Sequence, residues 1–409
     1  MRCAALVPAT VACVVLLAAC SDTPSEPHST VRPLPSAVIS ALDAAALGQP
    51  LSGLTAAQLA AFTRGRAVFE REFSDRTGLG PAFNASSCAE CHGEPEEGGV
   101  TGAGGDEVET HFTNRRVDGT CDALLGGGGF VRQDSVTARL FRATGLSQEP
   151  LPSAPYQLGA RTTVDLFGFG LLAAVADRTL RSLADPFDFN RDGISGRVHV
   201  TSTGEIGRFG RKAQEADLAL FNAGAMFNEM GITNQFNPAE NSFGGAPMPA
   251  RVDIAADPEL ANADLDDLNA FVSFLAPPAQ LPLTAAARTG QDLFNSVGCA
   301  GCHVPSLPTA DVGVGALSLK RVSAFTDLLL HDMGGELADI CLGDARSSEF
   351  RTEPLMGVRF VEQFMHDGRA ATIDQAVSYH GGEGTRSRNR FANLSAAQRA
   401  ALVEYVNSL

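Results

Sequence analysis

One five-residue pattern occurs twice in this chain, as Cys88-Ala89-Glu90-Cys91-His92 and as Cys299-Ala300-Gly301-Cys302-His303. Two thiols spaced by two residues on a turn can add across the two vinyl groups of one porphyrin. The histidine that follows then reaches the iron from the proximal side. A thioredoxin-type dithiol does not need that histidine, and a zinc site would need two pairs far apart in the chain to meet. Two chance copies are expected on the order of once in 10⁵ from composition alone. The pattern predicts two haem c groups, held through Cys88, Cys91, Cys299 and Cys302, with His92 and His303 as proximal iron ligands.

Haem c is attached outside the cytoplasm, and the N-terminus agrees with export. Arg2 precedes an apolar stretch, Ala4 to Ala19, that is short for a membrane span. It ends in Leu17-Ala18-Ala19-Cys20, which matches a lipobox; an ordinary small-residue cleavage site beside a chance cysteine is the alternative. The expectation is a signal peptide over 1–19 and lipidation at Cys20. A Pro- and Ser-rich tether over 20–50 would hold the protein at the membrane on the periplasmic side. The formal net charge is −16, lysine occurs only at 212 and 320, and no basic cluster is present, which excludes nucleic acid as a partner. An acidic surface favours a basic protein partner instead, here an electron donor.

The chain also repeats itself ahead of each motif. Leu54-Thr55-Ala56-Ala57 leads through Gly65 and Phe69 to Cys88, and Leu283-Thr284-Ala285-Ala286 leads through Gly290 and Phe294 to Cys299. Both read as N-capped helices, the first with Thr55 and Gln58 as a capping box and with Leu59, Phe62, Phe69 and Phe73 on its buried face. Closing helices carry Leu265, Leu268, Val272 and Leu275, stopped by Pro277-Pro278, and Leu402, Val406 and Leu409 behind Ser395 and Gln398. The expected fold is all-α, mainly helix with long loops, in two cytochrome-c-like modules over 51–279 and 280–409. The first carries a large insertion between Gly93 and Ala261 of helix and loop with a short hairpin at most, and Gly126 to Gly129 marks a loop. Cys121 and Cys341 either pair or remain separate buried thiols.

Further motifs run through most of the chain: Gly78-Leu79-Gly80-Pro81 with Phe83-Asn84, Leu166 to Leu172, Asp192 to Arg197, Gly207-Arg208-Phe209-Gly210, and Glu229-Met230-Gly231-Ile232-Thr233. Later come His331-Asp332-Met333-Gly334, Phe350-Arg351-Thr352, His366 to Ala370 and His380-Gly381-Gly382-Glu383. In number and order they resemble the bacterial di-haem oxidoreductases, a peroxidase-like family distantly related to di-haem cytochrome c peroxidase. The resemblance implies that electrons enter at one haem and that a small oxidant such as hydrogen peroxide is reduced at the first module's haem.

It also implies a distal ligand at His380 on the second iron, where the alternative is a surface histidine in a Gly-rich turn. His111 stands where the relatives carry a distal histidine on the first haem, and a plain loop histidine fits equally. For His331 and His366, a pocket acid/base and a structural role both fit. The relatives cleave peroxide with a glutamate, often where this chain has Ala173; Glu229 is the remaining catalytic candidate, with an exposed helix residue as its alternative. Arg211 replaces a Trp, and the chain has none, so inter-haem transfer is direct or passes a Tyr such as Tyr379. Asp188, Asn190 and Asp192 with Gly193 match half of an EF-hand loop, which predicts calcium or a self-capping Asx turn. A pure electron-transfer cytochrome and a membrane-tethered accessory haem protein are the other functional readings.

Overall fold

The computed structural model describes residues 47–100, 109–116, 120–122, 131–153 and 156–409. The signal peptide, Cys20, most of the tether and the Gly126–Gly129 loop lie outside the described residues.

Two helix pairs form the frame. The Ala56–Phe69 helix starts at the Thr55/Gln58 capping box and lies against the Asn262–Phe274 helix. At their crossing the backbones touch: a Cβ on Gly65 would stand 1.9 Å from the Asp267 carbonyl oxygen. Arg64 clamps the Asp267 carboxylate with two hydrogen bonds of 2.6 and 2.7 Å. The Ala285–Val297 and Ala396–Val406 helices repeat this arrangement: a Cβ on Gly290 would stand 2.0 Å from the Ala401 carbonyl oxygen, and Phe294 is edge-on to Tyr405 at 5.5 Å. Because the first pair meets at Gly65, its interface is built from Phe62, Gly65 and Phe69, and Leu59 falls outside it, 46% exposed.

The expectation of an all-α chain is wrong. Among the described residues the structure is 33% helix and 13% strand with five small sheets, a mixed α/β architecture. Glu109–Arg115 pairs antiparallel with Gln157–Arg161, from Glu109 opposite Arg161 to Thr113 opposite Gln157, and Cys121–Asp122 adds to its other edge. Leu330–Asp332 pairs with Glu349–Arg351. The remaining ladders are two residues long. Strands this short carry almost no alternation of their own; their partners lie many residues away, so the pairing leaves no local period in the sequence.

The larger apolar core joins both halves of the first helix pair to Phe167, Phe169 and Phe209, and also takes in Leu307, Val322 and Leu329. A second core surrounds Phe294, Phe325, Ile373, Leu402 and Tyr405. Cys121 and Cys341 form a disulfide across 220 positions, with Cα atoms 5.7 Å apart. No helix among the described residues is long and apolar enough to cross a membrane.

Two outcomes follow from this frame. G290A forces a methyl group into the Ala401 carbonyl and should lower unfolding stability by about 1–3 kcal/mol in denaturant titrations. Closing so long a loop predicts that C121S/C341S costs about 2–5 kcal/mol, an effect that reductant should reproduce in the unsubstituted protein.

Candidate functional sites

Each C-x-x-C-H motif opens onto a cavity of its own. The first, with about 1640 Å³ of atom-free space, is lined by Cys88, Cys91 and His92 and walled by Phe69, Phe169, Met226, Leu268 and Val272. The second, with about 1700 Å³, holds Cys299, Cys302 and His303 within Phe294, Leu337, Leu402 and Val406. The disulfide uses neither C-x-x-C pair. Burial pushes the Cys88 thiol up to about 12 and that of Cys299 to about 11, the opposite of an activated redox dithiol. Burial also pulls His92 and His303 down to about 4, so both rings are neutral near pH 7 and able to ligate.

Two observations test whether these residues fit haem. In the second cavity the His303 and His380 rings face each other with centroids 6.5 Å apart. Two imidazoles on opposite sides of one metal, with metal–nitrogen bonds of about 2 Å, have ring centres roughly 6–6.5 Å apart. Nδ1 of His303 is 3.0 Å from the Phe325 carbonyl and Nδ1 of His380 is 2.8 Å from the Ala376 carbonyl. Each carbonyl takes the Nδ1 proton, which leaves Nε2 to ligate. In the first cavity the His92 ring lines the space beside Cys88 and Cys91, with the Gly99 and Val164 main chain against it. Both sites fit an iron porphyrin.

The cavities differ in what else they contain. Opposed histidines mark the second. The first holds Glu109, His111 and Glu229. Glu229 sits in the last turn of the Leu218–Met230 helix, which stops at Gly231 in the left-handed conformation (φ 64°). There the chain crosses Gly80 so closely that a Cβ on Gly80 would lie 2.6 Å from the Gly231 Cα. Gly80 and Asn84 donate backbone hydrogen bonds to the Met230 and Glu229 carbonyls, and Asn84 Nδ2 donates to Glu229 Oε2 at 2.9 Å. The segment leading to Cys88 is thereby stitched to Glu229. Glu109 hydrogen-bonds Glu229 across the cavity, and its Oε2 is 3.0 Å from His111 Nε2. Desolvation by burial, then the neighbouring carboxylate, raises the pKa of Glu229; burial also raises that of Glu109 against the pull of Glu229, Arg161 and Arg211. Burial and the Arg161 guanidinium depress His111 to about 3, so its ring is neutral. Glu109 was invisible to sequence reasoning. It becomes a site residue only through strand pairing with Arg161, and no spacing to Glu229 announces it.

Thr163, Val164, Arg211 and Arg351 line both cavities and form the wall between them. Glu353 holds both guanidiniums, at 3.0 and 2.9 Å. Tyr379 lines neither cavity but lies under Arg369. Ala173 is packed against the larger core. Behind the first cavity, Asp339 pairs with Arg161, with Lys212 Nζ at 3.3 Å and with His366 Nε2 at 3.4 Å. The Lys212 ammonium also donates to the Glu349, Ser347 and Arg346 carbonyls.

Asp188, Asn190 and Asp192 stand together in a surface loop. Their side-chain oxygens accept from the loop's own amides: Asp188 from Gly193 N, Asn190 from Asp192 N, Asp192 from Ile194 N. His199 is buried, with Nδ1 2.8 Å from the Lys212 carbonyl. His331 lies in the second cavity's wall, between two carboxylates.

A model of the family described as "Di-haem oxidoreductase, putative peroxidase" matches residues 147–409. No curated protein matches. Among solved structures, the diheme peroxidase BthA from Burkholderia thailandensis is 16% identical, with 86% of each chain covered and a TM-score of 0.39. Hydrazine synthase from Kuenenia stuttgartiensis is 16% identical over 91% of this chain and 99% of that one, with a TM-score of 0.37. A MauG-like protein associated with microbial copper homeostasis is 18% identical over 57% and 89%, with a TM-score of 0.29. At this distance no residue role is carried across from them.

The Asp339 cluster yields a direct test. D339A leaves Arg161 and Lys212 buried without their shared carboxylate, and should cost about 3–5 kcal/mol in a denaturant titration. A loss under 1 kcal/mol would show that solvent reaches the cluster.

Proposed function

This chain belongs to the di-haem oxidoreductases, and we propose that it is a di-haem c-type peroxidase that reduces a small oxidant such as hydrogen peroxide with electrons from a partner protein. The asymmetry of the two cavities carries this reading. His303 and His380 would both hold the iron at the second site, and an iron held by two strong ligands would suit passing electrons rather than taking a substrate. Glu109, Glu229 and His111 suit a site that handles protons. The haem held by Cys88, Cys91 and His92 would supply the iron and the electrons for O–O cleavage.

The protein's own part there is acid/base work. One peroxide oxygen must gain a proton to leave as water, and a carboxyl that still holds its proton near neutral pH is the group for that step. Glu229 is that acid. Glu109 shares its proton, and neutral His111 at Glu109 Oε2 keeps the pair oriented. The apolar walls exclude bulk water and raise both carboxyls, so that the pair keeps a proton near neutral pH. Asn84 fixes the Glu229 carboxyl from the Cys88 side.

The chain's export, its lipid anchor at Cys20 and its placement in the periplasm are part of the same proposal, since haem c matures there. Asp188, Asn190 and Asp192 cap the amides of their own loop, as a self-capping Asx turn does, and calcium plays no part in the reading. The electron donor is a basic-faced protein, in keeping with the charge of −16.

Haem stoichiometry and turnover test this together. Pyridine haemochrome analysis should give two haems in the mature protein and one each in C88A/C91A and C299A/C302A. E229Q keeps both haems and should lower peroxide turnover by about 10²–10⁴-fold. In the unsubstituted protein, turnover should fall as pH rises through the raised pKa of the carboxyl pair, because the acid form is then lost, and E229Q should abolish that limb. Full turnover in E229Q would remove Glu229 as the acid, and no peroxide turnover in the unsubstituted protein would leave an electron-transfer cytochrome.

A further inference from the structure

His331 is almost fully buried at 3% exposure, and a carboxylate meets each of its ring nitrogens. Nε2 is 2.9 Å from Asp327 Oδ2, and Nδ1 is 2.8 Å from Glu383 Oε2. A carboxylate oxygen can only accept, so both nitrogens carry hydrogen and the ring is an imidazolium. Burial works against that charge, but the hydrogen bonds to Asp327, Cys302 and Glu383 outweigh it and hold the pKa well above the ordinary value.

The other oxygen of each carboxylate also accepts hydrogen bonds. Asp327 Oδ1 accepts from Leu329 N at 2.9 Å. Glu383 accepts from Ser195 N at 2.9 Å, Ser195 Oγ at 2.8 Å and Asp332 N at 3.2 Å. A Cβ on Gly196 would lie 2.5 Å from His331 Cε1, so the ring is also fixed sterically. The group is therefore a rigid triad of two anions and one cation, with a net charge of −1.

Its position gives the triad a consequence. His331 and Glu383 line the second cavity, and His331 Nδ1 is 3.7 Å from the Sγ of Cys302. We infer that Asp327, His331 and Glu383 are positioning residues whose fixed charges set the reduction potential of the haem held at Cys299 and Cys302. The inference rests on the proposed attachment of haem at that motif. Charge and hydrogen bonding near a haem are among the means by which a protein tunes it, and in a low-dielectric wall each full charge counts strongly. A ferric haem gains one electron and loses one positive charge on reduction. Nearby anions favour the oxidised form and nearby cations the reduced one.

The sign of the effect separates electrostatic tuning from a structural role. E383Q removes an anion and should raise the midpoint potential of the second haem; H331Q removes the cation and should lower it. The first haem, in the other cavity, should move less in both variants and serves as the internal reference. The measurement is a spectroelectrochemical titration of the purified di-haem protein, with haem content counted in parallel. Opposite shifts in the second haem support the inference. Shifts of the same sign, no shift, or loss of the second haem in either variant would overturn it and leave the triad a structural clamp. An unsubstituted protein without haem at Cys299 and Cys302 would sink the underlying reading as well.

Discussion

Backbone-to-backbone contact at two glycines sets the dimensions of everything else. Where Gly65 meets Asp267 and Gly290 meets Ala401, the helices approach to the limit of main-chain contact, closer than any side chain allows. That closeness fixes where the next turns of each helix stand. Phe69, Leu268 and Val272 form one wall of the first cavity, and Phe294, Leu402 and Val406 form one wall of the second. Each wall is one face of a helix pair, so a cavity wide enough for a porphyrin survives because the helices are locked beside it. The Gly80–Gly231 crossing applies the same device between loops, and there it places an acid: moving those backbones apart would carry Glu229 away from the Cys88 segment.

What could be read from the sequence follows from how local each signal is. The C-x-x-C-H motifs, the Thr55 and Ser395 capping boxes and the apolar faces of the closing helices are complete within a few residues, and all are present in the structure. The strands are not local. Glu109–Arg115 becomes a strand by pairing with residues some fifty positions away, and the same pairing brings Glu109 to Arg161. The acid pair was accordingly half visible: Glu229 emerged by elimination, and its partner did not. Asp339 gave no signal either, because what makes it a hub is the arrival of Arg161, Lys212 and His366 from three distant segments. The Cys121–Cys341 bond was one of two open readings, since Cα separation is a property of the fold and cannot be read from spacing.

The wall between the cavities is polar where an aromatic relay was the expectation for relatives. Arg211 and Arg351 occupy it and share Glu353, which burial would raise but the two guanidiniums hold low. Two cations and one anion leave the wall positive. Under the proposed reading, that charge stabilises electron density arriving from either side, and transfer passes directly through Thr163, Val164 and the guanidiniums. An arginine cannot be oxidised in turn as an indole can, so under that reading this wall would store no oxidising equivalent.

The same guanidinium also bears on the acid pair. Burial raises both Glu109 and Glu229, while Arg161 and Arg211 pull Glu109 back toward ionisation. Two carboxyls in one apolar cavity cannot both ionise cheaply, and a cation next to only one of them breaks their equivalence. The anion is favoured on Glu109, beside Arg161 and the His111 ring, and the proton on Glu229. A pair with the proton assigned in this way can donate from a defined atom and be refilled through its partner. Arg211, one of the two arginines in the inter-cavity wall, thus also biases the acid pair, so under the proposed reading the placement of protons and the path of electrons share that side chain.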